Sequence, residues 1–240
     1  RIITFEKVPF FDEVITADRI GKEFIFPMNV YFCRNCQSVQ TLHDVDIHDY
    51  YSSYQYVASN SLFIRRYMET LARESFVRFG IRHGDAVIDI GAADGYMLSC
   101  FKDLGAQVLG YEAAENLALL AKNLGVPVLT KLFTAETIEE IPNEFKKVQV
   151  VILLHTFDHL TDPVPFLETI KNILDPDRGV LLLEVHDFKD IFKKRESALF
   201  GHEHATYLHA GSINRFLTHQ GFKLLDYNFI DKQLMRGSSM

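Results

Sequence analysis

The most constraining feature of the sequence is a short apolar run that leads into two closely spaced glycines and then into a second apolar segment. Residues 87–90 are Val-Ile-Asp-Ile, Gly91 and Gly95 follow, and an apolar periodic stretch begins at Tyr96. This pattern predicts a buried strand, a tight turn and the start of a helix. Both glycines would let the backbone approach a ligand closely, and the first helical turn would present free N–H groups.

Later segments continue the alternation of strands and helices. Residues 108–112, 148–154 and 180–185 have the apolar character of buried strands, and residues 164–174 have that of a helix. Such an alternation predicts an α/β fold with a doubly wound parallel sheet. We expect residues 222–229 to add a late antiparallel strand.

The glycine turn departs from the dinucleotide-binding fingerprint, because Ala93 stands where Gly-x-Gly-x-x-Gly requires a glycine. With Asp89 two residues before the first glycine, the segment resembles motif I of the class I S-adenosylmethionine (SAM) methyltransferases. The resemblance implies a Rossmann-like fold, SAM as cofactor and S-adenosylhomocysteine as product; another doubly wound nucleotide binder is the alternative. The expected cofactor contacts, with Glu112 on the ribose, are Asp89, Gly91, Ala92, Asp94, Gly95, Tyr96 and Glu112.

Composition excludes several classes of protein. The 240 residues are 48% hydrophobic and 24% charged, as in an ordinary globular chain. No apolar run approaches the ~20 residues of a membrane span. The net charge of −7 argues against a nucleic-acid partner. Three cysteines do not suggest a disulfide framework, so we expect a cytoplasmic location.

Residues 1–47 contain short β-like runs around a Cys-x-x-Cys pair, Cys33 and Cys36. A pair between strands is more typical of a zinc knuckle than of a redox site, which usually opens a helix. Zinc needs four ligands, and a second cysteine pair is missing. His43 and His48 are candidates to complete the site, and two metal-free cysteines are the alternative. We therefore predict a partial zinc-binding module with an incomplete site.

Residues 48–80 combine a tyrosine-rich stretch with a predicted helix. Tyr54 and Tyr56 suit a lid over a pocket, since each offers an apolar face and a hydroxyl. Packing between domains is the alternative. Apolar periodicity predicts a helix over about residues 61–79. The methyltransferase core is then expected over residues 81–240.

Ten histidines are present, and their placement matters more than their number. His155 and His159 follow the predicted strand 148–154, and His186 follows the strand 180–185. Ligands of open parallel sheets bind beyond the carboxyl ends of the strands. All three histidines are therefore predicted at the cofactor edge, with His155 beside the cofactor itself.

A second cluster is the run His202-Glu203-His204. One use is a general base whose imidazole is oriented by a carboxylate. The other is a site for zinc or iron. Consecutive side chains diverge on a strand or a helix, which disfavours convergence on one metal ion. The run is therefore better explained as a general base than as a metal site.

Several of these features together resemble the sugar-nucleotide C-methyltransferases of deoxysugar pathways, over essentially the whole chain. They are Tyr54-Gln55-Tyr56, the segment 89–98, His159, and His202-Glu203-His204 followed by Tyr207-Leu208. The resemblance implies a zinc module with two Cys-x-x-Cys pairs, a SAM-binding core and a further C-terminal domain. Cys33 and Cys36 match the second pair, so the first pair is expected upstream of Arg1 and the further domain beyond residue 240.

The reaction that this resemblance implies is methylation of a carbon next to a ketone, through an enolate that attacks the SAM methyl group. His204 would be the base and Glu203 would orient the sugar, with His159 as a third catalytic candidate. The candidates for binding the substrate, a nucleotide-linked ketosugar, are Tyr54, Tyr56, His202 and His186. Gly201 stands where many members carry a tyrosine or an acid, which leaves the exact substrate open. An O- or N-methyltransferase acting on a small metabolite and a non-catalytic SAM-binding module are the alternatives, and the oligomeric state is not predicted.

Overall fold

The structure, a computed structural model, describes residues 1–9, 15–42, 54, 56–230, 233 and 237–240. The strands within these residues are β1 (Ile3–Pro9), β2 (Ile25–Phe32), β3 (Val39–Thr41), β4 (Ala86–Ile90), β5 (Gln107–Tyr111), β6 (Val128–Leu129), β7 (Val148–Leu154), β8 (Val180–Glu184) and β9 (Thr206–Tyr207). The helices are α1 (Leu62–Arg78), α2 (Tyr96–Asp103), α3 (Glu115–Asn123), α4 (Pro163–Ile173), α5 (Phe188–Lys194) and α6 (Ala210–His219).

The central sheet is parallel and has the strand order β6-β5-β4-β7-β8. All five residues of β4 are buried, as expected for a strand covered on both faces. Successive side chains of a strand point to opposite faces, so Val87 and Ile88 belong to different cores. Val87 packs with Tyr67 of α1, whereas Ile88 packs with Leu167 of α4. The predicted α/β, doubly wound fold is confirmed.

A second sheet is antiparallel and has the order β1-β2-β3-β9. Its last strand follows the run His202-Glu203-His204, so the N-terminal strands pair with a segment from the far end of the chain. Val39 of β3 lies opposite Tyr207 of β9. A small core beneath this sheet joins Met28, Val39 and Tyr207 to Ile191 of α5. The N-terminal residues are therefore built onto the segment that carries the candidate base.

The prediction of an antiparallel strand over residues 222–229 is wrong, because the structure assigns no strand there. Phe229 packs edge-on against Phe79, and the Arg78 guanidinium lies 5.1 Å from the centre of the Phe229 ring. These contacts fix the segment by its side chains against the end of α1. The chain beyond β8 pairs instead with the C-terminal residues, where the N–H groups of Val185 and Met240 each donate to the other's carbonyl oxygen.

Local sequence explains where two helices begin. The Ser61 side chain accepts a hydrogen bond from the N–H of Ile64 at 3.4 Å and caps α1. Pro163 occupies the first turn of α4, where its missing N–H has no intrahelical acceptor to lose. Within the described part of the chain, no helix has the length and apolar character needed to cross a membrane.

Candidate active site

The glycine turn lies between β4 and α2, at the carboxyl edge of the parallel sheet. Gly91 and Gly95 have φ values of 78° and 75°, in the left-handed region, and Ala92 between them is buried. A Cβ atom on Gly91 would lie 2.5 Å from Oγ1 of Thr156, and one on Gly95 would lie 2.6 Å from Cβ of Ala121. Contacts within the protein therefore require glycine at both positions, whether or not a ligand approaches the turn.

Glu112, just after β5, is tied to this turn. Its carboxylate accepts hydrogen bonds from the N–H groups of Ala93 and Ala114, each at 2.8 Å. Burial raises the pKa of Glu112, while these backbone donors act in the opposite direction. A carboxylate accepts about four hydrogen bonds, so Glu112 keeps acceptor capacity for ligand hydroxyls.

Three other residues predicted to border the cofactor are buried or hydrogen-bonded within the protein. Asp89 is buried near the end of β4. Asp94 accepts a hydrogen bond from the N–H of Ser59 at 3.0 Å, which fastens the segment before α1 to the turn. The Tyr96 hydroxyl donates to Glu69 at 2.7 Å, and burial raises the pKa of Tyr96 to about 12. Contacts of these residues with a cofactor stay a prediction.

Four histidines gather beyond β7 and β8. Ring centroids are 4.5 Å apart for His155 and His186, 4.7 Å for His186 and His204, and 4.9 Å for His204 and His159. The structure thus brings together the three histidines that the sequence assigns to this edge and joins the candidate base to them. Asp158 lies among them, with Oδ2 only 2.6 Å from Nδ1 of His186.

Asp158 is the buried carboxylate of this cluster, with 1% of its surface exposed. Burial alone would raise the pKa of Asp158, but the hydrogen bond with His186 and the nearby imidazoles hold that pKa well below its usual range. Burial also lowers the pKa of His159, against the influence of Asp158, whose Oδ1 is 3.9 Å from Nε2 of His159. The cluster therefore combines a carboxylate anion with one histidine, His159, whose neutral form is favoured by burial.

His204 has a defined tautomer. Its Nδ1 lies 3.0 Å from the carbonyl oxygen of Leu199, and since a carbonyl oxygen only accepts, Nδ1 carries the proton. The lone pair is then on Nε2, which lies 3.8 Å from Oε1 of Glu203. Burial lowers the pKa of His204 to about 3, against the opposite influence of Asp158. His204 is therefore a neutral imidazole with an unprotonated Nε2.

The remaining substrate-binding candidates lie elsewhere around the site. His202 is buried, and its Nε2 is 3.1 Å from the carbonyl oxygen of Phe26 in β2. The carbonyl oxygen of Tyr54 accepts a hydrogen bond from Asn116 at 2.8 Å, and Tyr56 is 46% exposed. The roles of these residues, like those of Glu203 and His186, stay predictions.

The cysteine pair follows β2. Hydrogen bonds from the backbone and thiol of Cys36 lower the pKa of Cys33, and Sγ of Cys36 lies 2.9 Å from Oγ of Ser38. Among the described residues, no third potential ligand joins the two cysteines in a metal-binding group. His43 and His48 lie outside the described residues, so zinc binding by the pair stays a prediction.

Sequence reasoning missed three residues that organise the histidines: Asp158, Glu184 and Tyr67. The Tyr67 hydroxyl donates to Oε2 of Glu184 at 2.7 Å, and Oε1 of Glu184 is 3.0 Å from Nε2 of His155. A usable signal existed for Glu184, which ends a buried strand as Glu112 ends the run 108–112. Tyr67 gave no such signal, because it follows the apolar period of its helix.

Comparison with known families identifies the family and the fold. A family described as "Methyltransferase domain" matches residues 64–227, which include most of α1, the whole parallel sheet and the histidine cluster. The chain belongs to this methyltransferase family. Its fold is that of the class I SAM-dependent methyltransferases, which confirms the family and the enzyme class predicted from the glycine turn.

Among curated relatives of this methyltransferase chain, "C-methyltransferase NovU" from Streptomyces niveus is 29% identical over 96% of this chain and 55% of its own length. "Ubiquinone biosynthesis O-methyltransferase" from Ruegeria pomeroyi is 31% identical over 39% of this chain and 38% of its own length. The chain thus spans about half or less of these curated relatives.

Solved structures share the fold at lower identity. A SAM-dependent methyltransferase from Archaeoglobus fulgidus has a TM-score of 0.53 at 16% identity, with coverage of 71% of this chain and 82% of that one. The plantazolicin methyltransferase BamL, in complex with a triazolic desmethylPZN analog and SAH, has a TM-score of 0.53 at 18% identity. That match covers 66% of this chain and 62% of BamL.

Proposed function

We propose that this protein is a SAM-dependent C-methyltransferase that methylates the carbon next to the ketone of a nucleotide-linked sugar. The observation that carries the proposal is the tautomer of His204, whose Nδ1–H donates to the Leu199 carbonyl and leaves Nε2 able to accept a proton. A carbon nucleophile requires such a base, because the α-proton must leave before the carbon can react. Similarity to a protein named as a C-methyltransferase supports the same chemistry.

The residues around the glycine turn fit SAM. Gly91 and Gly95 present backbone where side chains are excluded, and the Glu112 carboxylate keeps acceptor capacity beside Ala93. Glu112 would hold the ribose hydroxyls, as an acid does after the second strand of related folds. When bound, SAM supplies the electrophilic methyl group that an enolate accepts.

The chain's own residues then handle the proton. His204 accepts the α-proton on Nε2, while the Leu199 carbonyl keeps the ring in the required orientation. The resulting imidazolium is stabilised by the nearby Asp158, whose charge raises the pKa of His204. Because that pKa is low in the free protein, the transfer also depends on donors that stabilise the enolate oxygen.

The test separates proton abstraction from methyl transfer. Nucleoside diphosphate-linked ketosugars are incubated with the protein in D2O, and exchange of the α-proton is followed by NMR with and without SAM. His204→Gln should lower exchange and methyl transfer by about 10²–10⁴-fold, since that is the usual contribution of a general base. SAM affinity, measured by calorimetry, should stay unchanged.

His219→Gln is the matched control, because His219 is an exposed histidine at the end of α6. It should keep both activities. Methyl transfer that persists in His204→Gln, without any exchange in the unchanged protein, would contradict the enolate reaction and favour O- or N-methylation.

A further inference from the structure

We infer that His155, Asp158 and His186 form a binding site for a divalent transition-metal ion. Each residue offers one ligand atom, and these atoms all lie within 4.8 Å of one another. Two imidazoles and one carboxylate on one side of an ion are the ligand set of many iron and zinc sites. This site is separate from the cysteine pair, since it uses nitrogen and oxygen ligands at the edge of the parallel sheet.

The backbone holds the three ligands at fixed places. His155 follows β7 directly and has a φ value of 55°, which is unusual for a residue other than glycine. Asp158 lies in a short 3-10 turn three residues later, and His186 lies just beyond β8, the neighbour of β7. A strained residue held by its surroundings is typical of functional sites. The ring centre of His155 lies 4.5 Å from that of His186.

A second layer of hydrogen bonds orients His155 as metal-binding histidines are usually oriented. Its Nε2 lies 3.0 Å from Oε1 of Glu184, and Tyr67 donates to the other oxygen of that carboxylate at 2.7 Å. With the proton on Nε2, the lone pair of His155 is on Nδ1. Histidine ligands commonly donate their other N–H to a carboxylate in this way.

Two polar atoms of the proposed ligand residues are buried without a hydrogen bond in the described part of the chain. They are Nδ1 of His155 and Oδ1 of Asp158. Buried polar atoms are nearly always satisfied, so each calls for an explanation. A cation between the two side chains gives both a partner.

One of the three ligand pairs is already close to its separation around an ion. Two ligands about 2.1 Å from one ion lie about 3 Å apart at a right angle. Nδ1 of His186 and Oδ2 of Asp158 are now 2.6 Å apart and share a proton. The ion takes the place of that proton on Nδ1, the ring binds as a neutral imidazole with its proton on Nε2, and the two atoms separate by a few tenths of an ångström.

Three protein ligands leave coordination positions open for an oxygen atom of a substrate. The His204 ring lies 4.7 Å from that of His186, so these positions border the candidate base. An ion there stabilises an enolate oxygen as a Lewis acid. This role rests on the proposed function, whereas the site itself does not.

The experiment measures metal binding directly. The chain is prepared with Cys33→Ser and Cys36→Ser, which removes thiolate ligands, then treated with a chelator and titrated with Co²⁺ or Zn²⁺ by calorimetry and absorption. We expect one ion per chain and a Co²⁺ spectrum without thiolate bands. His186→Ala and Asp158→Asn should abolish binding, and Tyr67→Phe should weaken it about 10–100-fold, as loss of an outer partner does.

His219→Ala is the control and should bind the ion with unchanged affinity. Circular dichroism and thermal melting identify variants that fail to fold, and Asp158→Asn preserves the shape of the side chain if an alanine variant does not fold. Absence of one-to-one binding in the folded Cys33→Ser/Cys36→Ser chain overturns the inference, as does full affinity in Asp158→Asn. Neither result depends on methyl transfer, so failure of the site and failure of the proposed reaction remain distinguishable.

Discussion

Gly91 is constrained by both its backbone and its neighbour. Its φ of 78° is left-handed, and a Cβ atom would lie 2.5 Å from Oγ1 of Thr156. Gly91→Ala should therefore lower the free energy of unfolding by more than the ~1–2 kcal/mol of a left-handed alanine, because the steric contact adds to it. Urea unfolding measures the loss.

The double variant separates the two causes. Gly91→Ala/Thr156→Ala removes the contact but keeps the backbone strain. Gly91→Ala should therefore lower the free energy of unfolding less in the Thr156→Ala background than in the unchanged chain. A double variant whose two losses simply add would show that the contact with Thr156 is not the cause.

Glu112 predicts a dependence of stability on pH. Burial raises its pKa in the folded chain, so the folded state binds the proton more tightly than the unfolded state does. The contribution of Glu112 is then most favourable below its unfolded pKa and falls as the pH rises through the folded pKa. Glu112→Gln lacks this titration.

Unfolding of both proteins by urea between pH 3.5 and 7 is the measurement. The stability of the unchanged chain minus that of Glu112→Gln should decrease as the pH rises through this window. A difference that grows with pH would mean that hydrogen bonds from Ala93 and Ala114 outweigh burial. SAM affinity of the variant should also fall, if Glu112 holds the ribose.

At the scale of residues, the sequence predicted those parts of the site that follow strands. His155, His159 and His186 were assigned to one edge because parallel strands end together, and the structure brings them there. The sequence did not predict that Asp158 lies among them. Its importance depends on burial and on imidazoles from separate segments, neither of which leaves a local pattern.

At the scale of elements, one tyrosine of β9 ties this strand to the turn before it. The Tyr207 hydroxyl accepts a hydrogen bond from the N–H of Gly201 at 3.0 Å and lies 3.4 Å from the Gly201 carbonyl oxygen. Tyr207→Phe leaves that buried N–H without its acceptor. We expect a loss of about 1–3 kcal/mol in the free energy of unfolding, measured in urea.

The comparison variant for this prediction is Tyr227→Phe, because Tyr227 is 44% exposed. Its stability should change by less than ~0.5 kcal/mol, as is usual for surface substitutions. Equal stability of the two variants would mean that the turn from Gly201 to Tyr207 is not maintained by the hydroxyl.

Elements defined by their own sequence were predicted accurately, whereas an element that depends on residues far away in the chain was not. Strand β7 was predicted with its observed limits, and β8 within one residue, because both are continuous apolar runs. Strand β9 has two residues and exists only because β3 lies beside it. Its partner strand, β3, is more than 160 residues away in sequence, so no local pattern predicts the pairing.

At the scale of the whole molecule, the two sheets meet at the candidate base. The Thr41 side chain donates to the carbonyl oxygen of His204 at 2.6 Å, and the N–H of Ala205 donates to the carbonyl oxygen of Asp158 at 2.9 Å. The segment that carries His204 is thus hydrogen-bonded to the antiparallel sheet on one side and to the histidine cluster on the other. Loss of packing under β2 should therefore also destabilise the segment around His204.

Met28→Ala tests this connection. Met28 is 1% exposed, and its truncation should cost about 2–5 kcal/mol. Hydrogen exchange should accelerate in residues 201–208 as well as in β2, at least about tenfold, since ~1.4 kcal/mol is a factor of ten. Val77→Ala, at a position 81% exposed, should leave both regions unchanged. Acceleration confined to β2 would show that the two regions open independently.

The pairing of β3 with β9 has a consequence for synthesis. The first three strands leave the ribosome long before Thr206 and Tyr207, the residues that complete their sheet. At about 5–20 residues per second, the 166 residues from 41 to 207 take about 10–30 s to add. During that interval a nascent sheet of β1–β3 has an open edge, which is a template for pairing with other chains. The arrangement that secures the base in the finished protein thus exposes the growing chain to association with other chains until residue 207 has been added.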